Sequence, residues 1–514
     1  MNVPVIIRKN WLLILFLVLL AAFRFSLITK GHFFDADERR YLYALWSWKY
    51  ILHGHFFKGL SCLFEVQGRP GFVLINLFPA ALQIIFAHFH LISTVNMHFF
   101  DIPSFFNVLV TLINSVIFYG ILMLILSDRY LALIGTAVYS LLVNSNGYIR
   151  HLFPYDYSLL FFLLAIFLIL KQGSSRFPDV RIPVVCGILC AWAALIYPGY
   201  YSLALIVTVF LAFSNQFDLK ILGFYFGGFL LVIFAFELFS ELLRKSYFLE
   251  CMVVADTVKH GSFAEGFLFI TRYLSGVEGL IGIVLFLLFL IYSIFFLVKD
   301  QGPCRWLVLP AILMYSFHAI LGVFFSKMVF YGRSLHMYFP FLVIAALRLL
   351  SLIPRQSYKK AAGIILLVVA VVSFVPWARI YSRLTYPRDI YFKYLSQVPE
   401  NKVLWLLSGD KVNLSDYKNY SAVVLNLRSF FDVKENYTDP VPVVNMVMVT
   451  FEPHPLNFPS YTFENYGPHE REVLRERKYQ MKIYLAPQAR KNLENPKASQ
   501  YLLSSFLYKT AESW

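Results

Sequence analysis

Long apolar runs alternate with short polar breaks over roughly the first 380 residues. A helix of roughly 18–20 apolar residues crosses a hydrocarbon core of about 30 Å. The pattern predicts membrane helices over 11–29, 104–127, 130–147, 157–171, 183–196, 199–214, 220–240, 279–298, 304–325, 337–353 and 361–378. A long first loop, 30–103, holds a charged stretch and one more apolar run, 70–93; a second long loop covers 241–278. Beyond 379 the chain turns polar. There, short β-like runs at 403–407, 422–427, 443–451 and 479–485 accompany a charged helical stretch at 470–478. The fold class expected is a polytopic α-helical membrane protein of about eleven transmembrane helices over 1–378, followed by a small soluble α/β domain over 379–514.

Topology turns on 70–93. If that run does not cross, the loops 171–182, 299–305 and 354–360 share one side and carry Lys171, Arg176, Arg181, Lys299, Arg305, Arg355, Lys359 and Lys360. The opposing loops 148–156, 197–200 and 326–336 carry only Arg150, Lys327 and Arg333. The positive-inside rule then places the richer set in the cytoplasm and the C-terminal domain outside it. Pro70 and Pro79 also suit a short or broken helix there. With 70–93 not crossing, four polar clusters fall on one external face: 35–41, Arg69-Pro70, 150–156 and 327–336.

Composition narrows the class. Of 514 residues, 59% are hydrophobic, 18% aromatic and only 15% charged, against about a quarter charged in soluble domains. A soluble enzyme, a disordered chain and a disulfide-stapled secreted domain are excluded. The net charge of +15 belongs to short loops and the tail, where topology and anionic headgroups account for it without nucleic acid. Cys186 and Cys190, four apart on an apolar run, read as small packing residues. Arg8 and Lys9 precede the first apolar run without a small-residue cleavage site after it, so that run reads as a first membrane helix with a cytoplasmic start.

Chemistry concentrates just after that helix, in Gly31-His32-Phe33-Phe34-Asp35-Ala36-Asp37-Glu38-Arg39-Arg40-Tyr41. Asp35 with Glu38 fits a capping box, and acidic residues suit a helix start. Asp37 is not needed for the cap. A carboxylate at a membrane surface among Phe33, Phe34 and Tyr41 calls for a role or a partner.

Asp37-Glu38-x-Arg40-Tyr41 after the first helix resembles the membrane-embedded GT-C glycosyltransferases, and most nearly the protein O-mannosyltransferase and lipid A aminoarabinose transferase branch, which carries an Asp-Glu pair in its first external loop. Arg69-Pro70 stands where that branch has Lys-Pro. Asp156, after Arg150 and His151, stands where it has a second acid, and the run from Arg333 through His336 to Pro340 where a basic-aromatic-Pro element opens a late helix. The layout covers about 370 residues, the detail four short motifs. One departure is the turn Tyr197-Pro198-Gly199-Tyr200, which lacks the Lys often found between the branch's fifth and sixth helices.

The resemblance implies transfer of a sugar from a polyprenyl-phosphate donor to an acceptor hydroxyl on a glycolipid, glycan or protein outside the cytoplasm, in a bacterial inner membrane. Asp37 would be the general base, with Glu38 and Asp156 as further catalytic acids and inversion at the anomeric centre. Arg69 and Arg333 would grip the donor phosphate, since guanidinium forks pair with phosphate oxygens, with His336 as a further donor. Arg40, Tyr41 and Arg150 would support them. No resident cofactor is implied, although the Asp35-x-Asp37 spacing would suit a divalent cation.

Plainer accounts stand beside these. Arg333 could anchor at the interface, Arg69 could pair with Glu65, Asp156 could form a purely structural ion pair, and Tyr41 and Trp48 could simply pack. The rival functions are a flippase for lipid-linked sugars, a glycan polymerase or ligase, and a membrane scaffold.

Overall fold

The structure is a computed structural model describing residues 3–28, 39–65, 69–89, 91, 100–172, 179–214, 218–260, 274–300, 302–325 and 335–382, together with four strands of the tail. In chain order the principal helices are α1 (Val3–Ile28), α2 (Arg39–Leu52), α3 (Phe56–Ser61), α4 (Pro70–His88), α5 (Asp101–Leu126), α6 (Arg129–Ser140), α7 (Tyr155–Gln172), α8 (Arg181–Ile196), α9 (Tyr201–Ser214), α10 (Leu219–Leu242), α11 (Tyr247–His260), α12 (Leu280–Ile291), α13 (Pro303–Phe325), α14 (Phe339–Ser351) and α15 (Gln356–Tyr381). Among the described residues seven helices are long and apolar enough to cross a membrane, in α1, α4, α5, α7, α10, α13 and α15; four shorter apolar helices lie at 181–196, 198–214, 280–296 and 339–351. α1, α10 and α15 expose large apolar side chains such as Val18, Leu19, Leu231 and Ile365. Apolar residues on an outward face are what a lipid solvent permits and water penalises. The chain is an integral membrane protein with α7 near its centre, flanked by α5 and α8.

Polar residues at the turns end the helices. Asp128 caps α6 by accepting from Tyr130 N–H (3.0 Å) and Leu131 N–H (3.2 Å), and Asp218 caps α10 through Lys220 N–H (2.9 Å). Between α12 and α13, Asp300 accepts Nε and Nη2 of Arg348 on α14 (2.8 Å each), Gly302 N–H (2.8 Å) and the Tyr292 hydroxyl (2.7 Å). Burial alone would raise the Asp300 carboxyl; the Arg348 bonds, the Gly302 N–H and the Tyr292 hydroxyl outweigh it and hold it below its ordinary value. The stabilisation is therefore present above the usual carboxylate range and is lost only as pH falls through the depressed value. Arg348→Ala should cost about 3 kcal/mol, because it strands a buried carboxylate, and should be seen as a lower unfolding midpoint in detergent at neutral pH that shrinks toward wild type in acid.

The first loop is more structured than its sequence suggests. The stretch expected to be a loop, 30–103, contains α2, α3 and α4, and the second, 241–278, contains α11. α4 is also one unbroken helix, contrary to the expectation of a short or broken one: Pro70 sits at its first turn, where no N–H is required, and Pro79 lies within it. Its composition would let it cross, and it packs beside α2, α5 and α8. At its start Arg69 lies over the Tyr197 ring (4.8 Å), and Phe72 meets Tyr157 (6.3 Å) at the start of α7. Near its middle Phe78 meets Phe106 (5.4 Å) in the first turns of α5, and in its later half Gln83 accepts from Tyr41, which packs on Phe100 (6.2 Å). α5's own first turns are tied to the turn before α7, since Asn107 Nδ2 donates to the carbonyls of Tyr148 and His151 (2.9 Å each).

The tail strands are β1 (Val403–Leu406), β2 (Ala422–Leu427), β3 (Met446–Phe451) and β4 (Lys482–Leu485). They form one sheet in the order β1-β2-β3-β4, parallel across the first three and antiparallel between β3 and β4. The helix expected over 470–478 lies outside the described residues.

Candidate functional site

At the end of the bundle shared by α4 and the first turns of α5 and α7, polar side chains are buried among aromatic rings. Asp156 stands in the first turn of α7, where the helix dipole favours a carboxylate. Its Oδ1 lies 3.2 Å from His336 Nε2, and both residues are at most 3% exposed. His336 sits on the turn that opens α14, and its other nitrogen, Nδ1, lies 2.5 Å from Asn144 Oδ1. Asn144 and Val143 donate their backbone N–H groups to the two oxygens of Glu278, each at 2.8 Å. Burial pushes the Glu278 carboxyl up to about 7, against the downward pull of those two N–H groups. Asn114 Nδ2 donates to the Asp156 carbonyl (3.0 Å) and ties α5 to the start of α7.

Aromatic rings connect this chain of polar groups to Arg69. Tyr148 lies edge-on to His336 (5.5 Å) and 4.9 Å from Tyr155; Tyr155 lies 5.0 Å from Tyr197, over which Arg69 rests. Residues 69, 156 and 336, far apart in sequence, are thus joined through consecutive contacts. The turn that lacks the branch's Lys supplies, through Tyr197, the ring beneath a guanidinium. Glu65 pairs with Lys245 (2.8 Å), and Arg69 lies over the Tyr197 ring. Asp156, whose plainer reading is a structural pair, has its Oδ1 beside His336 Nε2. Arg150 and His151 are buried in the turn before α7 that Asn107 holds.

Tyr41 and Trp48 follow the packing account: the Tyr41 hydroxyl donates to Gln83 and the Trp48 indole N–H to the Leu77 carbonyl (2.7 Å), so both fasten α2 to α4. Arg40 is partly exposed in the first turn of α2. Asp35, Asp37, Glu38 and Arg333 lie outside the described residues. The segment carrying the first three leaves α1, whose Arg24 bonds Asn146, and enters α2, whose Tyr41 bonds α4; both neighbours are at the site end. Among the described residues no group of three or more His, Cys, Asp or Glu could hold a metal ion; the Asp35-x-Asp37 pair is not among them.

Sequence reasoning passed over Arg24, Asn144, Glu278, Tyr155 and Tyr197. For Arg24 a signal was available, since a guanidinium inside an apolar run marks function or a buried partner. Nothing local distinguishes Asn144 from other loop asparagines.

No protein-family model matches the chain, and no curated protein matches it. Among solved structures it is similar to the oligosaccharyltransferase of Archaeoglobus fulgidus, crystallised with Zn and sulfate, at 12% identity and a TM-score of 0.46, over 74% of this chain and 55% of that one. It is also similar to ArnT from Cupriavidus metallidurans, crystallised bound to undecaprenyl phosphate, at 11% identity and a TM-score of 0.45, over 91% of this chain and 95% of that one. The chain thus spans about half the length of the oligosaccharyltransferase. At these values the likeness is one of distant overall layout, and what this chain does has to follow from its own residues.

Proposed function

We propose that the chain is a membrane glycosyltransferase that moves a sugar from a polyprenyl-phosphate donor to an acceptor hydroxyl outside the cytoplasm. The observation that carries this reading is the buried Asp156–His336 pair, linked to Arg69 through Tyr155 and Tyr197, at the end of the bundle to which both neighbours of the Asp37 segment lead. In this reading Asp37 takes the proton of the acceptor hydroxyl as its oxygen bonds the anomeric carbon. The bond from that carbon to the phosphate oxygen breaks, and the polyprenyl phosphate leaves with the electron pair. Arg69 and Arg333 steady the growing phosphate charge in a site where preorganised cations count most. Asp156 and His336 form a buried pair joined to Arg69 through Tyr155 and Tyr197. A single displacement inverts the anomeric centre, by analogy with inverting glycoside hydrolysis.

The topology proposed has eleven crossings, by α1, α5 to α10, the 280–296 segment, α13, α14 and α15. α4 stays at the site end and the C-terminal domain is extracytoplasmic. Support comes from the first half of α4 packing on the start of α5 and α7, from Gln83 in its later half joining Tyr41 of α2, and from the excess of Lys and Arg in the loops at the far end. A bacterial inner membrane suits this reading.

The test is incubation of the purified protein in lipid with a panel of polyprenyl-phosphate sugars, following each donor by mass spectrometry. Consumption of one donor with release of polyprenyl phosphate is expected. Movement of a donor between leaflets without consumption would instead identify a flippase, and no change in any donor would remove the transferase reading.

A further inference from the structure

Two buried ions of opposite sign grip the same short turn. From α1, Arg24 donates through Nε to Asn146 Oδ1 (3.0 Å) and through Nη2 to the carbonyls of Ser140 (3.3 Å) and Ser145 (3.4 Å). From the segment ahead of α12, Glu278 accepts the N–H groups of Val143 and Asn144. Arg24 is 1% exposed and Glu278 not at all. Asn146 closes the turn on itself through Nδ2 to the carbonyls of Ser140 (2.8 Å) and Leu142 (2.7 Å). The guanidinium therefore takes carbonyl oxygens and the carboxyl takes amides of one turn, and Arg24 also feels the charge of Asp156.

Burying two ions is costly, and an apolar pair could fasten a turn without that cost. What these ions add is direction. Asn144, one of the two residues whose amides Glu278 holds, presents Oδ1 to His336 Nδ1. The amide oxygen orients the imidazole, so that Nε2 is turned to Asp156. The described groups facing the imidazole are then Asn144 from the turn, Asp156 from α7, and the rings of Tyr148 and Tyr155.

We propose that Arg24 and Glu278 are positioning residues for the His336–Asp156 pair, acting through the 140–146 turn and Asn144. As a statement about catalysis this rests on the transferase reading; as a statement about coupling between the turn and the start of α14 it does not.

Glu278→Gln keeps the size of the side chain but sets an amide N–H against a backbone N–H, so one of the two bonds is lost. In full-length protein in lipid nanodiscs, hydrogen–deuterium exchange should rise about tenfold or more at 141–147 and also at 335–339, with the unfolding midpoint near wild type. Arg24→Gln should act likewise from the opposite face. For the polyprenyl-phosphate sugar that wild type consumes, kcat should fall roughly 10–100-fold with KM unchanged. Asn144→Ala should give the same loss and add nothing to Glu278→Gln. Opening of 141–147 with no change at 335–339 would overturn the proposal, as would wild-type kcat in Glu278→Gln. If Glu278→Gln does not fold, Asn144→Ala, which leaves both ions on the backbone, must by itself raise exchange at 335–339. If wild type consumes no donor, the transferase reading fails alone, and the exchange experiment still decides the coupling.

Discussion

Asp37→Asn should lower sugar transfer by about two to four orders of magnitude while the protein still binds its lipid donor. The range is that of a general base removed from an otherwise intact site. Asparagine keeps the shape of the side chain and its capacity to accept a hydrogen bond, but it cannot take the acceptor proton at neutral pH. Only the chemical step should suffer, so the loss belongs in kcat, with KM for the donor within a few-fold. The measurement is turnover in nanodiscs across a donor titration. Glu38→Ala is the comparison: if Glu38 serves the helix cap at that start, its replacement costs stability more than rate. A flippase or a scaffold would scarcely register Asp37→Asn, so full turnover or full flipping in that variant would end the assignment of residue 37.

The second large effect is one of packing. Gly187 on α8 and Gly228 on α10 face each other so closely that a Cβ at residue 187 would lie 2.0 Å from the Tyr225 carbonyl oxygen, and one at residue 228 would lie 2.2 Å from the Val184 oxygen. Both obstacles are backbone, which cannot rotate away. In a bilayer, where lipid is as apolar as the side chains, helices associate through such close approach. Gly187→Leu should therefore drive α8 from α10 and destabilise the fold at or beyond the upper end of the roughly 1–3 kcal/mol usual for overpacking. Because α8 ends at the turn carrying Tyr197, the platform under Arg69 should loosen with it. Gly227, also on α10, has nothing within 4 Å of its Cβ position, so Gly227→Leu is the matched control and should leave the midpoint unchanged or raised. Equal monodisperse yield and equal unfolding midpoints for the two variants would show that the approach is not needed.

Much of the fold follows from periodicity alone. The apolar runs proposed as crossings coincide with described helix, except that 130–147 breaks at a turn over 141–143, and the four tail strands lie within the β-like runs. Those features depend on local apolar content and its period, which neighbouring residues set together. α2 escaped that reading because its Arg39–Tyr50 stretch mixes charge with aromatic residues, and its helix is secured by bonds that its own sequence does not contain, from Tyr41 to Gln83 and from Trp48 to Leu77. The motif positions 69, 156 and 336 were legible as candidates because polar residues in an apolar chain stand out. Their partners were not. Which ring lies under Arg69, which imidazole meets Asp156, and which carboxylate holds the Asn144 turn depend on groups more than a hundred residues apart meeting at a few ångströms. The same holds for α4. Its length and apolar content would let it span, and which side chains of α2, α5, α7 and α8 it packs on is set only by the fold. Sequence by itself determined which segments leave water, because transfer free energy adds up along the chain. Tertiary structure decided which buried polar groups satisfy one another, because a hydrogen bond depends on distance and direction and neither is written locally.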